Sequence, residues 1–376
     1  MNNHHSLFGF LGNRELNELY VSVAIRAFAI SLIGVFIPIY LYQQGYSFFS
    51  IFMFFAFYAI YNLVFLIPVS KLSCKIGLKR SMLLSMPFLI IFFLLLFSID
   101  RFNWSIYFIT LFGGIHSAFF WFSFHTDFSK FSQKNKRGSQ VGLSKIIVSV
   151  FSAVAPLLGG LILYFFSFKV LFILVSFLLF ALTYPLFLSK EVHEPLTISL
   201  KDFFKNQKIK NIIAYIGSGM ETRIGSVIWP LFVFIFILKE GYVSLGALSS
   251  VSLFFTIAAT YTISKVSDLN LKFFLKAGSL LTALIWFIKS FVRTPIQLFV
   301  IEAFYGISLA SLNIPFDAIN YNKANKSQRA RIILEREIYI KIGAIAVLLF
   351  AAFFTDNLVE MFRYGGPLSS LLHFWF

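Results

Sequence analysis

Arg26, His116, Glu221, Arg223 and Glu302 each stand inside a long apolar run of the sequence. A titratable group in such a run is costly unless it faces water, a ligand or a partner. These residue types could provide a polar lining for a solute, with Glu221 the preferred carrier of a coupling proton. Glu221 and Arg223 are two residues apart, about 200° around a helix, so one of them faces a shared cavity and the other faces a neighbouring helix. Trp121 and Asn313 could add a stacking plate and an amide. A purely structural assignment competes at each position: Arg26 pairing with Glu221 as a buried strut, His116 as a hydrogen-bonded packing residue, Glu302 at an outer interface, and Trp121 and Asn313 as interhelical packing. Lys289 and Lys341 lie near enough to segment ends to snorkel.

The elements that must position these groups are membrane helices. Of 376 residues, 59% are hydrophobic and 13% charged, and the mean hydropathy is +0.83, against about a quarter charged in soluble domains. With about 20 apolar residues per span, helices are expected near 19–42, 47–70, 79–98, 104–124, 141–163, 168–189, 211–238, 243–264, 271–291, 296–317, 336–355 and 360–376. The last is short, distorted by Gly365, Gly366 and Pro367, or incomplete. Glu15 and Glu18 precede the first span without a cleavable signal pattern, so that span is retained. At about 1.5 Å per residue, Arg26 lies roughly 10 Å into helix 1, His116 roughly 18 Å into helix 4, Glu221 roughly 15 Å into helix 7 and Glu302 roughly 9 Å into helix 10.

The net charge of +16 is a matter of topology. Alternate loops hold most of the basic residues: Arg14; Lys71, Lys75, Lys79 and Arg80; Lys130, Lys134, Lys136, Arg137 and Lys145; Lys190, Lys201, Lys205, Lys208 and Lys210; Lys265, Lys272 and Lys276; Lys323, Lys326, Arg329, Arg331 and Arg336. The other loops have only Arg101, Lys169, Lys239, Arg293 and Arg363. The bias places the N-terminus in the cytoplasm and excludes a nucleic-acid surface. Cys74 is the single cysteine, so no internal disulfide is possible, and no metal-ligand cluster or cofactor motif is present. An enzymatic reading would rest only on His125 and Asp127, with no second catalytic set. The 52 phenylalanines read as lipid-facing bulk.

The chain repeats itself. Ser70, Lys71, Leu72, Ser73 and Cys74 return as Ser264, Lys265, Val266, Ser267 and Asp268; Pro38 answers to Pro230, Gly45 and Tyr46 to Gly241 and Tyr242, Gly114 and Ile115 to Gly306 and Ile307, Arg137 to Arg329, and Trp121 to Asn313. The offset stays between 192 and 196 residues. Duplication inside a membrane is a common construction of transporters. The halves are 1–190 and 211–376. The linker, 191–210, is cytoplasmic, and Ser199 with Asp202 could cap a surface helix there.

This plan resembles the major facilitator superfamily over essentially the whole chain. That family's motif between its second and third helices runs Gly, x, Leu, Ala, Asp, Arg, x, Gly, Arg, Arg, and here Leu72, Lys75, Gly77, Lys79 and Arg80 stand in the corresponding places. Ser70 replaces the first Gly and Cys74 the Asp; the second copy keeps the acid as Asp268 but has Asn270 and Leu271 where the later Gly belongs. The family's fifth helix often carries Gly, Pro, x, x, Gly, Gly, matched by Ala155, Pro156, Leu157, Leu158, Gly159 and Gly160 in a form similar to that of exchangers. The resemblance implies that helices 1, 4, 7 and 10 line a central cavity. It also implies that Lys79 or Arg80 pairs with Asp127 as a cytoplasmic latch, with headgroup anchoring as the alternative role.

The expectation is an all-α membrane protein of about 12 transmembrane helices in two tandem six-helix pseudo-repeats. It is expected to be a non-enzymatic secondary transporter, monomeric in the cytoplasmic membrane, taking a small-molecule substrate with H+ or Na+ as candidate coupling ions. The alternative is a sensor or scaffold that keeps the fold without transport, favoured by Cys74 in place of Asp. Two Arg against two Glu and one His leave the sign of the substrate's charge open.

Overall fold

Apolar runs this long have one way to satisfy their backbone in lipid, which is to close the N–H and C=O groups inside a helix. The structure, a computed structural model, describes residues 14–133, 136–187, 207–267, 270–324, 328–354 and 357–376, and they are helical almost throughout. The spans are α1 (Arg14–Ile33, a 3-10 turn Gly34–Phe36, then Ile37–Gln43), α2 (Phe48–Ile76), α3 (Leu78–Phe97), α4 (Ile106–Phe131), α5 (Arg137–Ser152, then Ala155–Phe165) and α6 (Phe168–Phe187). They continue as α7 (Ile209–Arg223, a π turn Ile224–Ile228, Trp229–Phe232, a second π turn Val233–Ile237), α8 (Tyr242–Ser267), α9 (Leu271–Lys289), α10 (Pro295–Lys323) and α11 (Arg329–Phe354). The last, α12, runs Leu358–Glu360, a π turn Met361–Gly365, Gly366–Leu371 and a 3-10 turn Leu372–Trp375. Among the described residues ten spans are long and apolar enough to cross a membrane, and Phe168–Ala181 adds a shorter apolar stretch. The linker, with Ser199 and Asp202, and the acid Asp268 lie outside the described residues.

Prolines mark the interruptions, because each removes an N–H from the helical ladder and crowds the preceding turn. The 3-10 turn of α1 precedes Pro38, the break in α5 precedes Pro156, and the π turns Ile224–Ile228 and Met361–Gly365 precede Pro230 and Pro367. The distortion expected at Gly365, Gly366 and Pro367 is therefore present as a widened turn.

Several helices run well past their apolar cores. α4 extends to Phe131 and α10 to Lys323, while α5 begins at Arg137 and α11 at Arg329. The expected spans 104–124, 296–317, 141–163 and 336–355 clip these ends. Hydropathy stops at the first cluster of polar residues, whereas a helix continues while its polar side chains find partners.

The duplication has a packing consequence. α4 lies against α2 and α10 against α8. A Cβ on Gly114 would come within 2.8 Å of the Asn62 backbone N, and one on Gly306 within 2.3 Å of the Ser252 carbonyl. The absent side chain lets each pair approach closely. Asn62 Nδ2 donates to the Gly114 carbonyl at 3.4 Å, and Thr256 Oγ1 donates to the Gly306 carbonyl at 3.2 Å, so one polar clasp occurs in each repeat. Between the halves, α2 packs on α11 and α5 on α8. Phe165, Phe180, Phe254 and Phe354 are left exposed on the outside, as a lipid-facing surface requires.

Candidate functional site

Between the halves lies a cavity of about 550 Å³ lined by α1, α2, α3, α4, α5, α7, α10 and α11. Arg26 enters it from α1, with Nη2 3.0 Å from Nε2 of His116 on α4. His116 Nδ1 lies 2.9 Å from the Ser85 carbonyl. A carbonyl only accepts, so the proton is assigned to Nδ1, and Nε2 presents its lone pair to the guanidinium as a neutral imidazole. The guanidinium carbon sits 3.8 Å from the Phe120 ring centroid and 5.1 Å from that of Trp121, a cation–π arrangement. The strut between Arg26 and Glu221 does not form; His116 takes that place. Trp121 and Asn313 both line the cavity.

On the opposite wall α7 chooses between Glu221 and Arg223. Arg223, the last residue before the π turn, lines the cavity with its guanidinium carbon 5.6 Å from the Tyr58 ring centroid. Glu221 points away, and its Oε1 accepts the Tyr305 hydroxyl at 2.6 Å. Neither Glu221 nor Glu302 is among the lining residues of this cavity. Glu302 accepts Trp229 Nε1 at 2.7 Å and pairs with Lys289 at 2.6 Å, facing a smaller cavity of about 260 Å³. Lys289 does not snorkel. It is 0% exposed, and its Nζ lies 3.4 Å from the Tyr305 ring centroid.

The clipped helix ends meet at the cavity's basic end, the one nearer the Lys-rich loops. Lys145 Nζ of α5 is 3.2 Å from Asp317 Oδ2 of α10, and Arg336 of α11 bonds Asp317 at 2.9 Å as well as Glu337. His125 Nδ1 of α4 lies 2.6 Å from the Tyr321 hydroxyl, and its Nε2 is 3.8 Å from Glu337. Lys341, also expected to snorkel, is buried here with its Nζ 3.9 Å from Glu337. At the repeat offset of 192, His125 answers to Asp317 and Lys145 to Glu337. The Lys145–Asp317 bridge therefore maps onto the Glu337–His125 contact across the pseudo-two-fold axis. In the sequence Lys145 and Arg336 stand among the basic residues of the loops, and Asp317 and Glu337 are not among its site candidates. The offset, extended to these positions, was the available signal.

Residues 19–346 match the sequence profile described as Major Facilitator Superfamily. The chain belongs to the major facilitator superfamily. Solved transporters of the superfamily share the fold. The human organic anion transporter MFSD10 (TETRAN) aligns with a TM-score of 0.73 at 11% identity, covering 96% of this chain and 98% of that one. The E. coli fucose:proton symporter FucP aligns with a TM-score of 0.69 at 14% identity, over 96% of this chain and 97% of that one. FucP in its outward conformation also gives 0.69, at 12% identity and 96% of each chain. A search of curated proteins gives no match.

The superfamily's motif positions take up definite places. Gly77 forms the α2–α3 turn at φ 106°, where a side chain would be strained. Its carbonyl accepts Ser81 Oγ at 2.7 Å. Lys79 and Asp127 are buried and Arg80 is exposed. In the second copy, Asn270 caps α9 through Phe273 N at 3.1 Å, so a side-chain acceptor stands where the first copy turns on a glycine. In α5, Pro156 follows the break. A Cβ on Gly159 would fall 1.9 Å from the Leu32 carbonyl of α1, and one on Gly160 2.5 Å from the Tyr242 carbonyl of α8. These two glycines let α5 press against one helix of its own half and one of the other. Arg137, at the start of α5, donates to the Tyr321 carbonyl at 2.6 Å and to Asn322 Oδ1 at 3.0 Å on α10.

Proposed function

We propose that the protein is a secondary transporter of the cytoplasmic membrane. It moves a small solute by rocking residues 1–190 against residues 211–376 around the central cavity, with 191–210 as the linker. The supporting observation is how the two halves meet at the cavity's basic end: through side-chain contacts from Arg137 to Tyr321 and Asn322, His125 to Tyr321, and Lys145 to Asp317. Such contacts can be exchanged for water without unfolding either half. The Lys and Arg bias of the loops puts this end, and the N-terminus, in the cytoplasm. Arg26, His116, Trp121, Arg223 and Asn313 contact the solute. Gly77, Lys79, Arg80, Asp127 and Asp268 belong to the cytoplasmic gate, and Pro156, Gly159 and Gly160 to the hinge of α5.

Glu221 carries the coupling proton in this scheme. It is buried and hydrogen-bonded by Tyr305, and the cation that acts on it, Lys289, is already paired with Glu302. A proton is the smallest charge that can neutralise such a carboxylate. The test is uptake and counterflow in reconstituted vesicles with Glu221→Gln. Counterflow is expected to persist while accumulation driven by a pH gradient is lost. Unchanged transport with unchanged pH dependence would remove Glu221 from this role. Solute binding without any counterflow in the wild type would favour a sensor that keeps the fold.

A further inference from the structure

The charges lining the central cavity are Arg26, Lys145, Arg223, Arg336 and Lys341 against Asp317 and Glu337. The two carboxylates are both occupied at the basic end. Asp317 lies between Arg336 and Lys145, and Glu337 between Arg336 and Lys341. Farther along the cavity, Arg26 and Arg223 have no carboxylate within 4.0 Å among the described residues. Arg26 is 9% exposed, its partner His116 is a neutral acceptor, and its Nε–H is buried without a hydrogen-bond partner. A guanidinium in the middle of a membrane protein with an unsatisfied N–H is an incomplete site. Phe120 covers one face of this group and so directs its binding capacity to the edge, which matches the two oxygens of a carboxylate, sulfonate or phosphate.

We propose that the solute is a small organic anion with an apolar body, its charged head held by Arg26 with Arg223 as the second cation; this rests on the transport reading of the cavity. A cationic solute would meet a surplus of positive charge with no free carboxylate to receive it. A neutral one would leave both arginines uncompensated. The body has a complementary surface in Ile30, Phe55, Leu89, Phe92 and Phe93, which line the same cavity. The volume of about 550 Å³ falls within the roughly 300–1,000 Å³ of small-molecule sites.

The test uses compounds that share one body and differ in charge. Benzoate, benzenesulfonate and phenyl phosphate are compared with benzamide and benzylamine, by thermal shift of the protein in lipid nanodiscs. At least one anion is expected to stabilise the wild type in a saturable way, with the amide and the amine without effect. Arg26→Gln and Arg223→Gln should each weaken that anion at least tenfold, with Arg26→Lys retaining more affinity than Arg26→Gln; the melting temperature of each variant without ligand reports whether it is folded. Stabilisation by the amine or the amide equal to that by the anions, undiminished anion binding in the double Gln variant, or no stabilisation by any of the three anions would overturn the proposal. Vesicle uptake of benzenesulfonate, which keeps its charge, separates the two readings. Anion binding without uptake upholds the anion site and counts against transport, whereas uptake of benzylamine or benzamide alone upholds transport and overturns the anion assignment.

Discussion

At the scale of single residues, the pair Arg26 and His116 organises one wall of the cavity. His116 is held from behind by the Ser85 carbonyl and gives its one lone pair to Arg26. His116→Phe removes that acceptor and leaves a buried guanidinium short of another partner, a cost of about 1–3 kcal/mol. The variant should therefore unfold at lower temperature than the wild type, and the loss should shrink in the Arg26→Met, His116→Phe double variant, where both polar groups are gone. A double-variant loss equal to the sum of the Arg26→Met and His116→Phe losses would mean that the two side chains are not coupled. The sequence places Arg26, His116, Trp121, Arg223 and Asn313 in helices 1, 4, 7 and 10, and the structure brings all five to one cavity. Which of Glu221 and Arg223 turned inward was not legible, because a 200° separation states only that they diverge. Tyr305, which receives Glu221, could not be identified as its partner from local spacing.

At the scale of elements, the duplicated glycines are the clearest case of sequence becoming structure. Gly114 and Gly306 occupy equivalent positions at the α2–α4 and α8–α10 crossings. Gly114→Ala or Gly306→Ala must push backbone away from backbone and is expected to destabilise by about 1–3 kcal/mol. Gly34→Ala, whose new Cβ would meet only Ile30 at 3.7 Å, should stay within about 0.5 kcal/mol of the wild type. Thermal unfolding of the three variants checks this, and equal behaviour of all three would contradict the close-packing account. Hydropathy located the helices but not their polar ends. His125, Lys145, Asp317 and Arg336 lie at or near the ends of the apolar runs on α4, α5, α10 and α11, yet face one another at the end of the cavity. Apart from Glu337 beside Arg336, their partners stand on other helices, and no local window contains those partners. For the same reason the cavity charge looked balanced from sequence and is positive in the structure.

At the scale of the whole molecule, the proposed transport cycle has the two halves moving as units about the cavity, with the polar contacts at the basic end as the junction that opens. Arg137 donates across that junction to Tyr321 and Asn322, besides Ser129 and Ser132 in its own half, so Arg137→Gln weakens the closed arrangement. The most direct measurement is electron–electron double resonance between spin labels, in a background where the single Cys74 is replaced by Ser. One label pair goes on exposed Lys75 and Lys272 at the basic face. The other goes on exposed Phe102 and Ile296 at the opposite face. The predicted result is that Arg137→Gln moves population to longer distances for the Lys75 and Lys272 pair and to shorter distances for the Phe102 and Ile296 pair. Distances that stay unchanged at both faces, or that lengthen at both together, would contradict it.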